Sequence, residues 1–342
     1  MSEIELQDKI LKHTLDLMRL SAHEQSEVVK ILEQLEDELK QLLLSRDLSG
    51  ASRAQINALA VQAGEVIKTG YATAARSLDT KALAIVIAEK TQLAIAAIIP
   101  TAVILPTPET LASLTDDVII EGAQSSKWWS KQASDTAFKF AAQIRQGVIN
   151  GETNEKIVSR ITGKTGFMGV SRRSARTLVH SSVMASANNA RLATYRKNSR
   201  LIKGVRQLST LDSKTSDICI AYSDGEWDLD GEPLKGTSLP FNGGPPRHFA
   251  CRSILTPIPK TFRDIGIDID EPKDVGKRAS SLGQIAGDTT FEGFLNRQPP
   301  EFADKVLGKG RADLWRAGKI TLRDLVSGTG RPLTLEQLRK KG

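Results

Sequence analysis

Cys219, His248 and Cys251 are the side chains of this 342-residue sequence whose types could act together at one point. Two thiolates and an imidazole are borderline-soft donors of the kind that hold zinc, with an Asp or a water in the fourth position. Structural zinc sites pair their ligands at short spacings, and only the His248-x-x-Cys251 half does so here. A nucleophilic Cys–His reading needs a thiolate of depressed pKa and a third group that orients the imidazole. No such group stands out near His248 in the sequence. Two further readings are packing of both cysteines as small buried residues, and a Cys219–Cys251 disulfide in oxidising surroundings. Zinc, disulfide and free thiols all stay open on the residues alone.

Other patterns that carry chemistry are incomplete. The segment GKTGFMG, Gly163 to Gly169, resembles a phosphate loop, but the Walker spacing requires a glycine at position 158, which is Val158. It reads as a turn, as does GVINGET from Gly147 to Thr153. With no nucleophilic triad and no paired-carboxylate motif, the chain is expected not to be an enzyme. Neither a small-molecule substrate nor a cofactor other than the zinc considered above is expected.

The distribution of charge points to a partner. The chain holds 47 Lys and Arg against 40 Asp and Glu, a net charge of +7. Residues 1–125 carry 11 basic and 18 acidic side chains, residues 126–207 carry 16 and three, and residues 208–342 carry 20 and 19. One stretch therefore supplies the whole excess, which predicts a polyanionic partner for it. Within that stretch, Ser171 to Arg200 lacks Gly and Pro and reads as a helix capped by Ser171, with Val179, Val183, Ala187 and Leu192 as its buried stripe. Arg172, Arg173 and Arg176 crowd its first turns, and Arg191, Arg196, Lys197 and Arg200 its last. Cations suit the carboxyl end of a helix dipole and not the amino end, so the first group is expected to serve an external anion. All seven are candidate contacts to double-stranded DNA without sequence specificity; the alternatives are a solvated face or pairing with the acidic first section.

These residues need elements to position them. Residues 1–125 read as an acidic helical section and a candidate anchor to another protein. Val28, Leu32, Leu35, Leu39 and Leu42 form one stripe, and Ile4, Leu11, Leu15 and Met18 another. A break near Ser21 to Gln25 predicts a helical hairpin. The apolar stretch from Ala82 to Leu105 is interrupted by Glu89, Lys90 and Gln92 and broken by Pro100, so a buried helix rather than a membrane span is expected. Residues 126–207 read as a basic helical section. Residues 203–260 read as a small antiparallel β unit with Asp224-Gly225 as hairpin punctuation, followed by short helices. The fold class is α+β, mainly α. The polar, acidic start MSEIELQDKI predicts no signal peptide, and two cysteines rule out a disulfide-built scaffold.

Three segments carry a resemblance: ARTLVHSSVMASANNARLATY, STLDSKTSDICIAYSDGEW and LPFNGGPPRHFACRSILTPIP. In order they resemble the phage head morphogenesis, or minor head protein, family (Mu protein F-like). The matching positions are Thr210, Leu211, Asp212, Thr215, Cys219, Asp224, Gly225, Pro245, Pro246, His248, Cys251 and Arg252, and the tail from Phe291 to Arg339 also looks like the family. Some members carry a further Cys where this chain has Ser253. The resemblance spans roughly 165–342. It implies a low-copy virion protein assembled with the portal and other head proteins, located in the phage head and, during assembly, in the host cytoplasm. Such a protein would assist head assembly and DNA packaging or exit; a DNA-binding ejection protein is the runner-up, and a metal-dependent hydrolase a more remote reading.

Overall fold

The computed structural model describes residues 3–48, 50–99, 101–163, 165–234, 236–270 and 276–341. Pro100, Lys164, Met1 and Ser2, on which some sequence expectations fall, lie outside the described residues. The protein is mainly α with a small β part, as the composition of its segments predicts. The chain forms two compact units, one made of Met1–Leu17, Lys81–Asp116 and Met184–Gly342, the other of Met18–Thr80 and Asp117–Val183. These cut across the three sections 1–125, 126–207 and 208–342 read from charge. The reason is that two long helices, α1 (Glu3–Leu44) and α7 (Phe167–Lys197), each contribute residues to both units.

Helix α1 runs without the expected break at Ser21 to Gln25. Its buried stripe is Leu6, Ile10, Thr14, Leu17, Ser21, Val28, Leu32, Leu35 and Leu39, whereas Leu15 is half exposed. Two polar members, Thr14 and Ser21, the latter in the expected break, are accommodated on the stripe because their hydroxyls have partners that a sequence pattern hides. Thr14 Oγ1 donates to the Ile10 carbonyl at 2.8 Å, and Ser21 Oγ lies 3.3 Å from His180 Nδ1.

The unit holding Met18–Thr80 and Asp117–Val183 is helical apart from a short hairpin, β1 (Ile119–Ile120) and β2 (Ala123–Gln124). Helix α2 (Arg53–Arg76) packs on α5 (Ser125–Ile149) through Tyr71, whose hydroxyl lies 3.0 Å from Thr136 Oγ1 and whose ring stands 6.4 Å from that of Trp129. Asp117 accepts from the Ser126 N–H at 2.9 Å and so closes the amino end of α5. Gly147, expected in a turn, is still helical; a Cβ there would collide with Ile157 of α6 (Asn154–Ile161). Helix α7 begins at Phe167, so Ser171 lies within it and is not its cap.

In the other unit, helices α3 (Thr80–Ala96) and α4 (Pro108–Thr115) accompany the end of α7. A three-stranded antiparallel sheet has the order β4 (Glu226–Asp228), β3 (Ile202–Leu208), β5 (Ile254–Pro259). Pro257 is tolerated in β5 because that strand lies at the sheet edge. Short helix α8 (Asp217–Ala221) connects β3 to β4, so Asp224-Gly225 is a helix-to-strand turn and not a two-residue hairpin. The tail adds a hairpin, β6 (Lys277–Ser280) and β7 (Gly283–Ala286), and helices α9 (Phe291–Asn296), α10 (Pro300–Leu307), α11 (Lys309–Arg316) and α12 (Leu335–Lys341). Trp227, fully buried, centres the core, with Tyr222 and Phe241 at ring distances of 6.0 and 5.6 Å.

Asp224 ties the tail to this sheet. Its carboxylate accepts from Arg278 Nη1 at 3.3 Å and from the Phe291 N–H at 3.1 Å. Arg278 is 4% exposed and also donates to the carbonyls of Ser209 and Thr289, at 2.8 and 3.0 Å. Removing the carboxylate strands a buried cation. Asp224→Ala is expected to lower unfolding free energy by about 3 kcal/mol, read by urea denaturation, while Asp224→Asn, which keeps an acceptor, loses less.

Candidate functional site

The loops that carry the three candidate ligands are fixed by an ion pair. The β3 strand delivers Ser209 to Thr215, and there Asp212 accepts from the Lys214 N–H at 2.9 Å and from Thr215 Oγ1 at 3.1 Å. The same carboxylate receives both Nη1 and Nη2 of Arg252, at 2.5 and 3.0 Å. This bidentate bond holds the loop before α8 against the segment entering β5. Thr215 Oγ1 also donates to the Thr210 carbonyl at 2.5 Å. The motif residues Thr210, Asp212, Thr215 and Arg252 are thus one hydrogen-bonded unit. Gly225 has a separate reason to be glycine: a Cβ would come within 2.6 Å of the Trp227 ring.

On that frame sit Cys219, His248 and Cys251. Cys219 lies on α8, which Ser216 caps by accepting from the Cys219 N–H at 3.4 Å. Cys219 Sγ is 3.2 Å from His248 Nε2 and 3.5 Å from Cys251 Sγ, and the three donor atoms all fall within 4.8 Å of one another. Both cysteines are buried thiols, not joined in a disulfide. His248 Nδ1 lies 2.6 Å from the Phe249 carbonyl. A carbonyl only accepts, so Nδ1 carries the hydrogen and Nε2 offers its lone pair, with Ser216 Oγ 2.7 Å away. Cys251 is held well below the usual thiol range by the hydrogen bond from Cys219, with His248 adding to the effect; Cys219 is pushed well above it by the same bond and by burial.

The cavity at this cluster, lined by Ser216, Cys219, His248, Arg252 and Ser253 among others, measures about 20 Å³. That is room for roughly one ion or water and not for an organic substrate, which argues against the nucleophilic reading at this point. Sequence reasoning overlooked Arg247. Its guanidinium lies 3.5 Å from the centre of the Tyr222 ring and donates to Gln207 Oε1 at 2.6 Å and to the Phe241 carbonyl at 3.1 Å. Burial pushes its pKa down to about 10. The neighbouring Pro-Pro pair was the available signal, because it anchors a rigid approach to the next side chain.

Residues 139–256 match the family of Phage Mu protein F like proteins. The match bears out the head morphogenesis resemblance over that segment. No curated protein and no solved structure matches the chain. The Mu F-like segment starts earlier than the motifs indicate, within α5, and ends in β5. The tail beyond it rests on the motif resemblance alone. The segment takes in most of the basic stretch together with the Cys/His cluster.

The seven basic candidates divide. Arg172, Arg173 and Arg176 belong to one compact unit, and Arg191, Arg196, Lys197 and Arg200 to the other. Arg191 is not a DNA contact: it is 1% exposed and donates through Nη2 to Thr14 Oγ1 at 3.0 Å. Its place on the buried stripe of α7 overrides its charge. Arg172 is committed to Glu36 and to the Gly163 carbonyl, the latter at 3.2 Å. Arg196 is exposed but bonds the Leu229 carbonyl at 2.9 Å, and Arg200 is exposed and bonds the Ala102 carbonyl. Arg173 and Arg176 are exposed, and among the described residues neither makes an ion pair. Lys197 is exposed as well.

Burial pushes the Asp212 carboxyl up, but the hydrogen bonds from Arg252 and the Lys214 N–H outweigh it and leave Asp212 below the usual carboxylate range. A carboxyl depressed on folding contributes stability that is full above its unfolded pKa and fades as pH falls through its folded one. The stability gap between the native chain and Asp212→Asn is therefore expected to be constant near neutral pH and to close on acidification below the ordinary carboxylate range. Urea midpoints across a pH series measure it; a gap independent of pH would contradict the pairing.

Proposed function

We propose that the protein is a phage minor head protein, present at low copy, that associates with the portal and contacts packaged DNA without sequence specificity. The carrying observation is the match of residues 139–256 to the Mu F-like family, a segment that also includes most of the basic stretch. A head morphogenesis protein has other head proteins as partners and the virion as its location, and the structural character of the family favours a non-enzymatic role. No described helix is long and apolar enough to cross a membrane.

Arg173, Arg176 and Lys197 support DNA contact, because exposed cations near packaged phosphates release counterions on binding. With α7 beginning at Phe167, Arg173 and Arg176 lie beyond its first turn, so the helix dipole no longer bears on them and the reading rests on their exposure.

Quantitative composition of procapsids, filled heads and emptied heads tests the assembly reading. A few copies per particle, present from the procapsid stage, are expected; absence from every particle would overturn it. Loss on emptying indicates exit with the DNA. For DNA contact, the double variant Arg173→Glu, Arg176→Glu is expected to weaken duplex binding and reduce the slope of log affinity against log salt by about 2. Unchanged affinity and slope would remove these residues from the interface.

A further inference from the structure

We infer that Cys219, Cys251 and His248 Nε2 hold a single Zn²⁺ ion that staples α8 to the segment entering β5, with the fourth position facing the Ser216 hydroxyl. This stands apart from the head-protein reading and can fail without it.

The geometry carries the inference. Zinc binds thiolate at about 2.3 Å and imidazole at about 2.0 Å in a tetrahedron, which sets neighbouring donors about 3.5–3.8 Å apart. Cys219 Sγ to Cys251 Sγ is 3.5 Å, and Cys219 Sγ to His248 Nε2 is 3.2 Å. These two pairs stand within a few tenths of an ångström of that spacing, and the third, Cys251 to the imidazole, lies inside the 4.8 Å that bounds all three donors. The cavity beside them, about 20 Å³, holds one ion and little else.

The outer contacts are those a metal-binding imidazole requires. His248 Nδ1–H donates to the Phe249 carbonyl at 2.6 Å, which fixes the ring and turns Nε2 toward the thiols. The loops bearing the donors are already clamped by the two bonds of Arg252 to Asp212, so little order remains to be imposed on binding. Two sulfur donors and one nitrogen select a borderline-soft ion over magnesium or calcium, which require oxygen. The burial of both cysteines makes the role structural, since a catalytic zinc needs an open coordination position that substrate can reach. The ion would join positions 32 residues apart without a disulfide and so hold in a reducing compartment.

The full-length protein, purified under reducing conditions without chelator, should contain one zinc per chain by elemental analysis. Replacement by Co²⁺ should give the near-ultraviolet thiolate charge-transfer band and the visible bands of a tetrahedral site. Both measurements use the native chain and do not depend on a variant folding. Cys251→Ser and His248→Ala should each reduce metal content at least tenfold, and chelation of the native protein should lower its Tm. Folded protein that takes up neither zinc nor cobalt, with both thiols titratable, overturns the proposal. So does a Cys219–Cys251 disulfide that forms in air with zinc present.

Discussion

A guanidinium taken out of water must find acceptors, and much of this structure is arranged to provide them. Arg252 has both carboxylate oxygens of Asp212. Arg278, at 4% exposure, has Asp224 and two carbonyls. Arg247 has the Gln207 side-chain amide, a carbonyl and the face of Tyr222. Each solution joins segments distant in the chain, because no local helix or turn supplies enough oxygen atoms to a buried cation. The satisfaction is incomplete at two of the guanidinium groups: Arg191 keeps one bond to Thr14 with its Nη1 without a hydrogen-bond partner among the described residues, and Arg247 Nη2 is likewise without one.

The Cys/His cluster is a consequence of the same bonding. The Asp212 clamp orders the loop before α8, Ser216 then caps α8, and the cap sets where the Cys219 thiol points. Arg252 follows Cys251 in sequence, so the residue that completes the clamp also places the second thiol. A motif scattered over about forty residues is in this sense one device, with structural members around a small polar cavity. The physical economy is that a single bidentate ion pair orients both halves of the donor set.

Much of this was legible in the residues. The helical stripe from Val28 to Leu39 and the antiparallel unit near 203–260 follow patterns that local chemistry imposes. The unbroken α1 was not legible, because Thr14 and Ser21 sit on its buried stripe and a hydrophobicity pattern counts them as interruptions. The Arg278–Asp224 bond was missed because it joins positions 54 residues apart. Charge counting assigned Arg172 and Arg191 outward, yet one is held by Glu36 and the other is buried beside Thr14.

By itself the sequence determined the mainly helical character, the unequal charge of its sections and the donor types in the Cys/His motif. Those properties reside in side-chain chemistry and short-range periodicity, which no long-range contact alters. Only the tertiary structure decided which cations remain in water, which acceptors satisfy the rest, and that two thiols and an imidazole meet within 4.8 Å. Burial and hydrogen-bond satisfaction are set by partners that chain folding brings together, and a charge or a thiol has no fixed role until those partners are in place.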